Sequence, residues 1–412
     1  MGLIRTIALV ILGFSSFVFV VLFGRLPFFR KTPIGFVYRL VWIHVPNGIS
    51  YLDSRLFGGR VLRFWNRAGS YVLYENHPLV LVFFTIMLAG GELIFIPSAW
   101  PRVSVIHRLC IPVAVGFPYY FLYASVVTKS FITADNHAEE MGRYPYDEVI
   151  FHPGHTCETC LFLKPARSKH CSFCKGCVSR QDHHCVWLTN CVGLNNYRYF
   201  LSLLLSLSVM LTYGALLGYS LLSQTLDDLV PPNSPARARK QSWPTFFNIC
   251  AGIIAYDTRI GAVTMLMFMT APLAAAFLVY HTYLIWAGMT TNESAKWSDW
   301  KDDVADGMAF KFIDGHKRSD SPLLDSPEAE ISWPVSSDQV LVLTGGEPPK
   351  EGHSVHKSSN DIMQPHDPNA AVDQRFVQVK SMKEIDNIYD LGFWNNLCHV
   401  FEARSAQKSH RR

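Results

Sequence analysis

Between Cys157 and Cys191 the chain places seven of its ten cysteines, with His155, His170, His183 and His184 among or beside them. Cysteine pairs and histidines so spaced are what a tetrahedral Zn²⁺ site needs, because its ligands must converge from short loops on one small ion. Cys157, Cys160, Cys171, Cys174, Cys177 and Cys191 supply six thiolates, and two imidazoles bring the set to eight, enough for two closed sites. Cys185, directly after two histidines, is then left over. A spare thiol beside imidazoles is a candidate nucleophile; a further metal ligand or an inert thiol is the plainer reading. Cys110, Cys250 and Cys398 are too scattered for a disulfide framework. A thiolate-rich metal site belongs on the reducing, cytosolic side of a membrane.

A membrane is implied by the rest of the chain. Apolar residues make up 49% and charged residues only 17% of it, against roughly 25% charged in an ordinary soluble protein. The apolar excess falls in long runs, so the expected fold is a polytopic α-helical membrane protein of about five transmembrane helices with a small cytosolic two-zinc cysteine-rich domain. The net charge of +4 gives no reason to expect nucleic acid as a partner.

The first run, Thr6 to Gly24, closes segment 1–24. It is longer than a signal-peptide core and lacks a small-x-small cleavage site, so it reads as an uncleaved first helix. Residues 25–78 are basic, with Arg55, Arg60, Arg63 and Arg67 among eight Arg and Lys, and read as a cytosolic loop. Its aromatics fit an interfacial helix or a packed loop equally. Segment 79–127 holds the second and third spans, Leu79–Ile96 and Leu109–Val127, and Glu92 near the end of the former reads as interfacial or as a buried polar contact. Residues 128–199 form the cytosolic cysteine-rich domain. The fourth span is 200–222, where Gly214 and Gly218 permit close helix approach; 223–260 reads as an extracytosolic loop and 261–289 as the fifth span, with Pro272 inside it. The cytosolic remainder, 290–412, contains a largely flexible Ser/Pro/acid-rich stretch at 317–367 and an aromatic element at 387–401.

The pattern CxxC, six residues, RxxHCxxCxxC, four residues, DHHC-x-W-xx-NC-x-G-xx-N resembles the cysteine-rich domain of the DHHC protein S-acyltransferases (palmitoyltransferases). Thr290-Thr291-Asn292-Glu293 resembles that family's TTxE motif, and Asn387-x-Tyr389-Asp390-x-Gly392 with Asn396 its aromatic C-terminal motif. The extra first span is similar to a fungal branch that acylates SNAREs and other single-span proteins.

The resemblance implies two structural Zn²⁺ ions. One takes Cys157, Cys160, His170 and Cys177; the other takes Cys171, Cys174, His184 and Cys191. It implies that Cys185 is the nucleophile, His183 the general base and Asp182 the group that orients it. The donor would be palmitoyl-CoA or another long-chain acyl-CoA, with Trp187 near the reacting carbonyl and Arg167 and Lys169 meeting coenzyme A phosphates. Thr290, Thr291, Glu293, Asn387, Tyr389, Gly392 and Asn396 would dock the C-terminal segment. Acceptors would be membrane proteins with cysteines next to their transmembrane segments, SNAREs among them, and the location the endoplasmic reticulum membrane. The chain departs from the family at Val186, where proline is usual; a β-branched residue still favours an extended path. A different class, a membrane-anchored zinc scaffold or ubiquitin ligase, needs the same eight ligands and no free Cys185.

Overall fold

The computed structural model describes residues 20, 32–230, 243–313, 331–336, 339–349, 372–373 and 375–402. The expected first span, apart from Val20, and the basic C-terminal tail lie outside them. The chain divides into two units, residues up to His77 and residues from Pro78.

In the first unit, helix α1 (Pro33–Arg39) runs through a π turn (Leu40–His44) into α2 (Val45–Phe57). Gly58 and Gly59, both at positive φ, turn the chain into α3 (Arg60–Tyr74). Residues 33–57 and 60–74 of the basic segment are therefore helical, which takes the helical of the two readings its aromatics had left open.

Among the described residues, four helices of the second unit are long and apolar enough to cross a membrane. They are α4 (Leu79–Ala99, continued by a 3₁₀ turn to Arg102), α5 (Val105–Val127), α7 (Tyr197–Leu229) and α9 (Thr258–Trp286). Between α5 and α7 lie the short helix α6 (His137–Met141) and strands β1 (Lys169–Cys171), β2 (Gly176–Val178), β3 (His183–Cys185) and β4 (Asn190–Val192). Helix α7 runs past the apolar run of 200–222 because no breaker stands before Pro231 and Pro232. Helix α8 (Trp243–Tyr256) occupies part of the expected 223–260 loop, and the Asp257 carboxylate caps α9 by accepting from the Ile260 N–H.

Gly214 and Gly218 let α7 lie against Met267 and Thr264 of α9, where an added Cβ would collide. At one end of this bundle Arg102 ties three helices. Its guanidinium bonds Asp257 at 2.7 Å, the Leu221 carbonyl at 2.7 Å and the Thr225 hydroxyl at 2.7 Å. Within the bundle, Glu92 accepts from the Tyr119 hydroxyl at 2.7 Å, so this carboxyl makes a helix-to-helix contact.

After α9, the helix α10 (Thr291–Ala305) leads to β5 (Ala309–Phe312), which pairs antiparallel with β6 (Leu341–Leu343) and β7 (Phe376–Gln378). The last helix is α11 (Phe393–Glu402). Strand β6 forms at the apolar island inside the stretch 317–367: Leu341 is buried in one cluster with Val379, Ile385, Trp300 and Val304. A three-residue strand finds its stability in partners that local sequence does not reveal.

Candidate active site and its metal-binding frame

The two hairpins set the ligands. In the first, His170 stands opposite Cys177; in the second, His184 stands opposite Cys191. The tight turns after Cys157 and Cys171 bring the second cysteine of each pair round, and the N–H of Cys160 and of Cys174 donates to the first sulfur at 3.4 Å. His170 Nδ1 lies 3.5, 3.4 and 3.9 Å from the sulfurs of Cys157, Cys160 and Cys177. His184 Nδ1 lies 3.6, 3.4 and 3.7 Å from those of Cys171, Cys174 and Cys191, and the Cys174 and Cys191 sulfurs are 3.7 Å apart. A tetrahedral zinc with its usual bond lengths requires edges of about 3.6 Å between S and N and about 3.8 Å between S and S. The residues fit zinc. Cys171 follows His170 in the chain yet belongs to the other cluster, so the two sets interleave and would cross-link one folded unit.

Alternation along β3 sets His184 toward its cluster and gives His183 and Cys185 the opposite face. Asp182, just ahead of the strand, is 2% exposed. Its Oδ2 accepts from His183 Nδ1 at 2.6 Å and from the Thr291 hydroxyl at 2.8 Å, and its Oδ1 from the Thr291 N–H at 2.9 Å. Burial alone would push the Asp182 carboxyl up; the His183 hydrogen bond and charge and the Thr291 N–H outweigh it and hold the group below its ordinary range. For His183, burial works against protonation, but hydrogen bonds to Asp182 and Cys185 raise it to about 9. The protonated ring is thus stabilised between Asp182 and Cys185 and held at fixed orientation.

Cys185 is 7% exposed and lies in an apolar cluster with Leu122, Tyr197, Phe200, Leu201 and Ile285, against which Leu81 and Phe84 pack. These residues come from α4, α5, α7 and α9, so the thiol stands at the mouth of the helix bundle. Trp187 is half-exposed and meets Phe84 edge to face at 6.0 Å. Asn190 and Asn196 fasten the domain there. Their side-chain amides donate to the Ser125 and Thr128 carbonyls at the end of α5, which the helix leaves unpaired.

Arg167 requires a correction. It is 1% exposed, its Nε and Nη2 grip both oxygens of Glu293 at 2.7 and 2.6 Å, and it stacks over the Tyr389 ring at 4.4 Å. A guanidinium so enclosed is not presented to a coenzyme A phosphate. Lys169 stays at the surface, bonded to Asn292 Oδ1 at 2.8 Å. Glu293 also starts α10. Its carboxylate accepts from the Thr290 N–H at 2.8 Å while its own N–H donates to the Thr290 hydroxyl at 3.2 Å, which makes a capping box.

The C-terminal motif covers the end of α9. Asn387 and Asn396 donate to the Ala287 carbonyl at 3.1 Å and the Ile285 carbonyl at 2.9 Å, and Tyr389 donates to the Pro145 carbonyl at 2.8 Å. Gly392 takes the turn into α11 at φ +82°. Gly288, at φ +64°, lies where a Cβ would come within 2.5 Å of Asp390. His281 of α9, buried and bonded to the Tyr197 hydroxyl at 3.1 Å, stands 6.0 Å ring to ring from His183. No spacing rule could have drawn it to the site; it arrives there only through helix packing.

A buried thiol with a carboxylate-held histidine, framed by two Cys/His clusters at the mouth of a membrane helix bundle, has the parts of a membrane-embedded enzyme that works through a cysteine. Residues 150–298 match the DHHC palmitoyltransferase family model. The chain is 77% identical over 411 residues to palmitoyltransferase swf1 of Emericella nidulans, covering 100% of both chains. It is 65% identical to palmitoyltransferase swf1 of Aspergillus fumigatus over 85% of this chain and 94% of that one. With palmitoyltransferase SWF1 of Saccharomyces cerevisiae it shares 27% identity over 69% of this chain and 71% of that one. The chain belongs to the DHHC palmitoyltransferase family and is a cysteine-dependent protein acyltransferase.

Proposed function

We propose that Cys185 carries the acyl group, passing it from a long-chain acyl-CoA such as palmitoyl-CoA to cysteines of membrane proteins. The observation that carries this reading is the position of Cys185, with His183 and Asp182 behind it and the apolar bundle mouth in front. His183 takes the thiol proton, and the thiolate adds to the thioester carbonyl. The tetrahedral intermediate collapses with loss of the coenzyme A thiolate, which takes the proton from His183. An acceptor thiol then attacks the Cys185 thioester, gives its proton to His183 and leaves as the acylated protein; that proton returns to Cys185. Thioester exchange is close to isoenergetic, so the residues chiefly orient the reactants and exclude water. Asp182 fixes the His183 tautomer, and Thr291 fixes Asp182.

Cys157, Cys160, His170 and Cys177 would hold one structural zinc and Cys171, Cys174, His184 and Cys191 the other, cross-linking the hairpins without an open coordination position. The fatty chain would extend among α4, α5, α7 and α9, with Trp187 beside the carbonyl and Lys169 toward the coenzyme A phosphates. In this reading Thr6–Gly24 adds a fifth span, the acyl-transfer site faces the cytosol, and the enzyme resides in the endoplasmic reticulum membrane. Acceptors are proteins with cysteines next to a membrane segment, SNAREs among them. Incubation with labelled palmitoyl-CoA tests the reading. A hydroxylamine-sensitive label on the protein, absent from Cys185→Ser at unchanged zinc content, is expected; a zinc scaffold or ubiquitin ligase would give none.

A further inference from the structure

Helices α2 and α3 each present an apolar stripe that no described residue of their own unit covers. On α2, Val45, Ile49, Leu52 and Leu56 recur at the period of one helix face, and all four are between 47% and 69% exposed. On α3, Val61, Phe64 and Trp65 share an arc of roughly 100°, and Arg60, Arg63 and Arg67 share one of roughly 60° that borders Phe64 and lies opposite Trp65. Phe64 and Trp65 are 66% and 65% exposed. The hairpin is a defined unit. Gly58 and Gly59 turn it at φ +61° and +74°, and the Asp53 carboxylate of α2 accepts from the N–H groups of Val61 and Leu62 at 3.2 and 2.9 Å, capping α3.

Asp53 is also the one carboxylate between Val45 and Tyr74, and it is buried and engaged in that cap. The charge the hairpin shows outward comes from Arg55, Arg60, Arg63 and Arg67. Four residues separate Tyr74 from Leu79, where the first of the four membrane-length helices begins, so the hairpin is tethered within reach of the headgroup layer. Neither helix is itself among those able to cross a membrane.

We propose that the α2–α3 hairpin lies in the plane of an anionic phospholipid surface, its apolar stripes in the acyl boundary and its arginines among the headgroups. An aromatic face flanked by arginines is the arrangement that binds in this way, by apolar burial together with attraction to negative lipid. The proposal is independent of the acyl-transfer reading.

The full chain in lipid nanodiscs tests it. A nitroxide is attached to p-acetylphenylalanine placed at position 65 or at position 67, which face opposite ways on the helix and leave every cysteine untouched, and its collisions with oxygen and with a water-soluble nickel chelate are measured. In discs containing phosphatidylserine, position 65 should favour oxygen and position 67 the chelate. The preference at position 65 should weaken in pure phosphatidylcholine and on the triple change Arg60→Gln, Arg63→Gln, Arg67→Gln. Shielding of position 65 from both reagents would mean that a protein surface covers the stripe and would overturn the proposal. Equal chelate access at both positions would overturn it as a solvated hairpin. An identical profile in phosphatidylcholine would overturn the anionic-lipid assignment.

Discussion

Thr291 reaches Asp182 twice, through its hydroxyl at 2.8 Å and its backbone N–H at 2.9 Å, across 109 residues of sequence. The first residue of α10 thereby helps hold the carboxylate that orients His183, and the segment after α9 is coupled to the proposed reacting centre. Its neighbours Thr290 and Glu293 secure the same helix start, so α10 cannot shift without moving the support of Asp182.

Removing the hydroxyl should therefore slow chemistry without unfolding the frame. A hydrogen bond to a charged group contributes about 1.5–3 kcal/mol, so Thr291→Val is expected to lower the rate of acyl-enzyme formation by roughly tenfold to a hundredfold, while Thr291→Ser retains most of it. Single-turnover labelling with palmitoyl-CoA measures the rate, and zinc content should be the same in all three proteins. A Thr291→Val protein that acylates at the parent rate would show that Asp182 needs no second holder.

The Arg167–Glu293 pair predicts a different signature. Both side chains are 1% exposed, and removing one partner of a buried pair typically costs about 3–5 kcal/mol because the other charge is left unpaired. Arg167→Met and Glu293→Gln should each lower the unfolding temperature in detergent by several degrees. Lys169→Ala should leave it unchanged and raise the KM for acyl-CoA instead. An Arg167 variant of normal stability with a raised KM would return that residue to the donor site.

The metal frame gives a third contrast. Folding free energy in small zinc units comes largely from the ion, about 10–16 kcal/mol for zinc-finger peptides near neutral pH. Cys191→Ser should lose zinc and the protease resistance of residues 155–195 together. Cys185→Ser should keep two zinc per chain and lose only the acyl adduct. Elemental analysis of the purified variants decides the matter, and loss of zinc from Cys185→Ser would make that thiol a ligand.

How far these features can be read in the sequence depends on the range of the interaction behind them. The two Cys/His clusters are legible because binding a small ion calls for short, repeated spacings such as those of Cys157–Cys191. The four long helices are legible because a bilayer imposes a length. Arg167 misleads because its partner lies 126 residues away, and an exposed phosphate ligand and a buried ion-pair member look alike in a basic loop. Leu341–Leu343 carries the same difficulty: an apolar island in a polar stretch becomes a strand only when Ala309–Phe312 is there to pair with it. His281 reaches the His183 ring by the packing of α9 on α7, a matter of helix rotation that no single segment encodes.

The docking of α11 should be acid-labile. His399 is held against Tyr144, whose hydroxyl lies 3.2 Å from Nε2, and a neutral imidazole accepts that proton. Burial disfavours its charged form, and the guanidiniums of Arg180, Arg167 and Arg143 disfavour it further, which lowers the group to about 3. The unfolded residue titrates near 6.5, so the released segment binds a proton that the docked one refuses. Docking is then fully stable above pH 6.5 and weakens as pH falls from 6.5 toward 3, by about 1.4 kcal/mol for each unit. Hydrogen exchange over residues 393–402 should rise steeply between pH 7 and pH 5, after correction for the intrinsic rate. His399→Gln keeps an acceptor for Tyr144 and has no proton to gain, so its exchange should be flat across the same range. If the variant and the parent lose protection alike, another group governs the release.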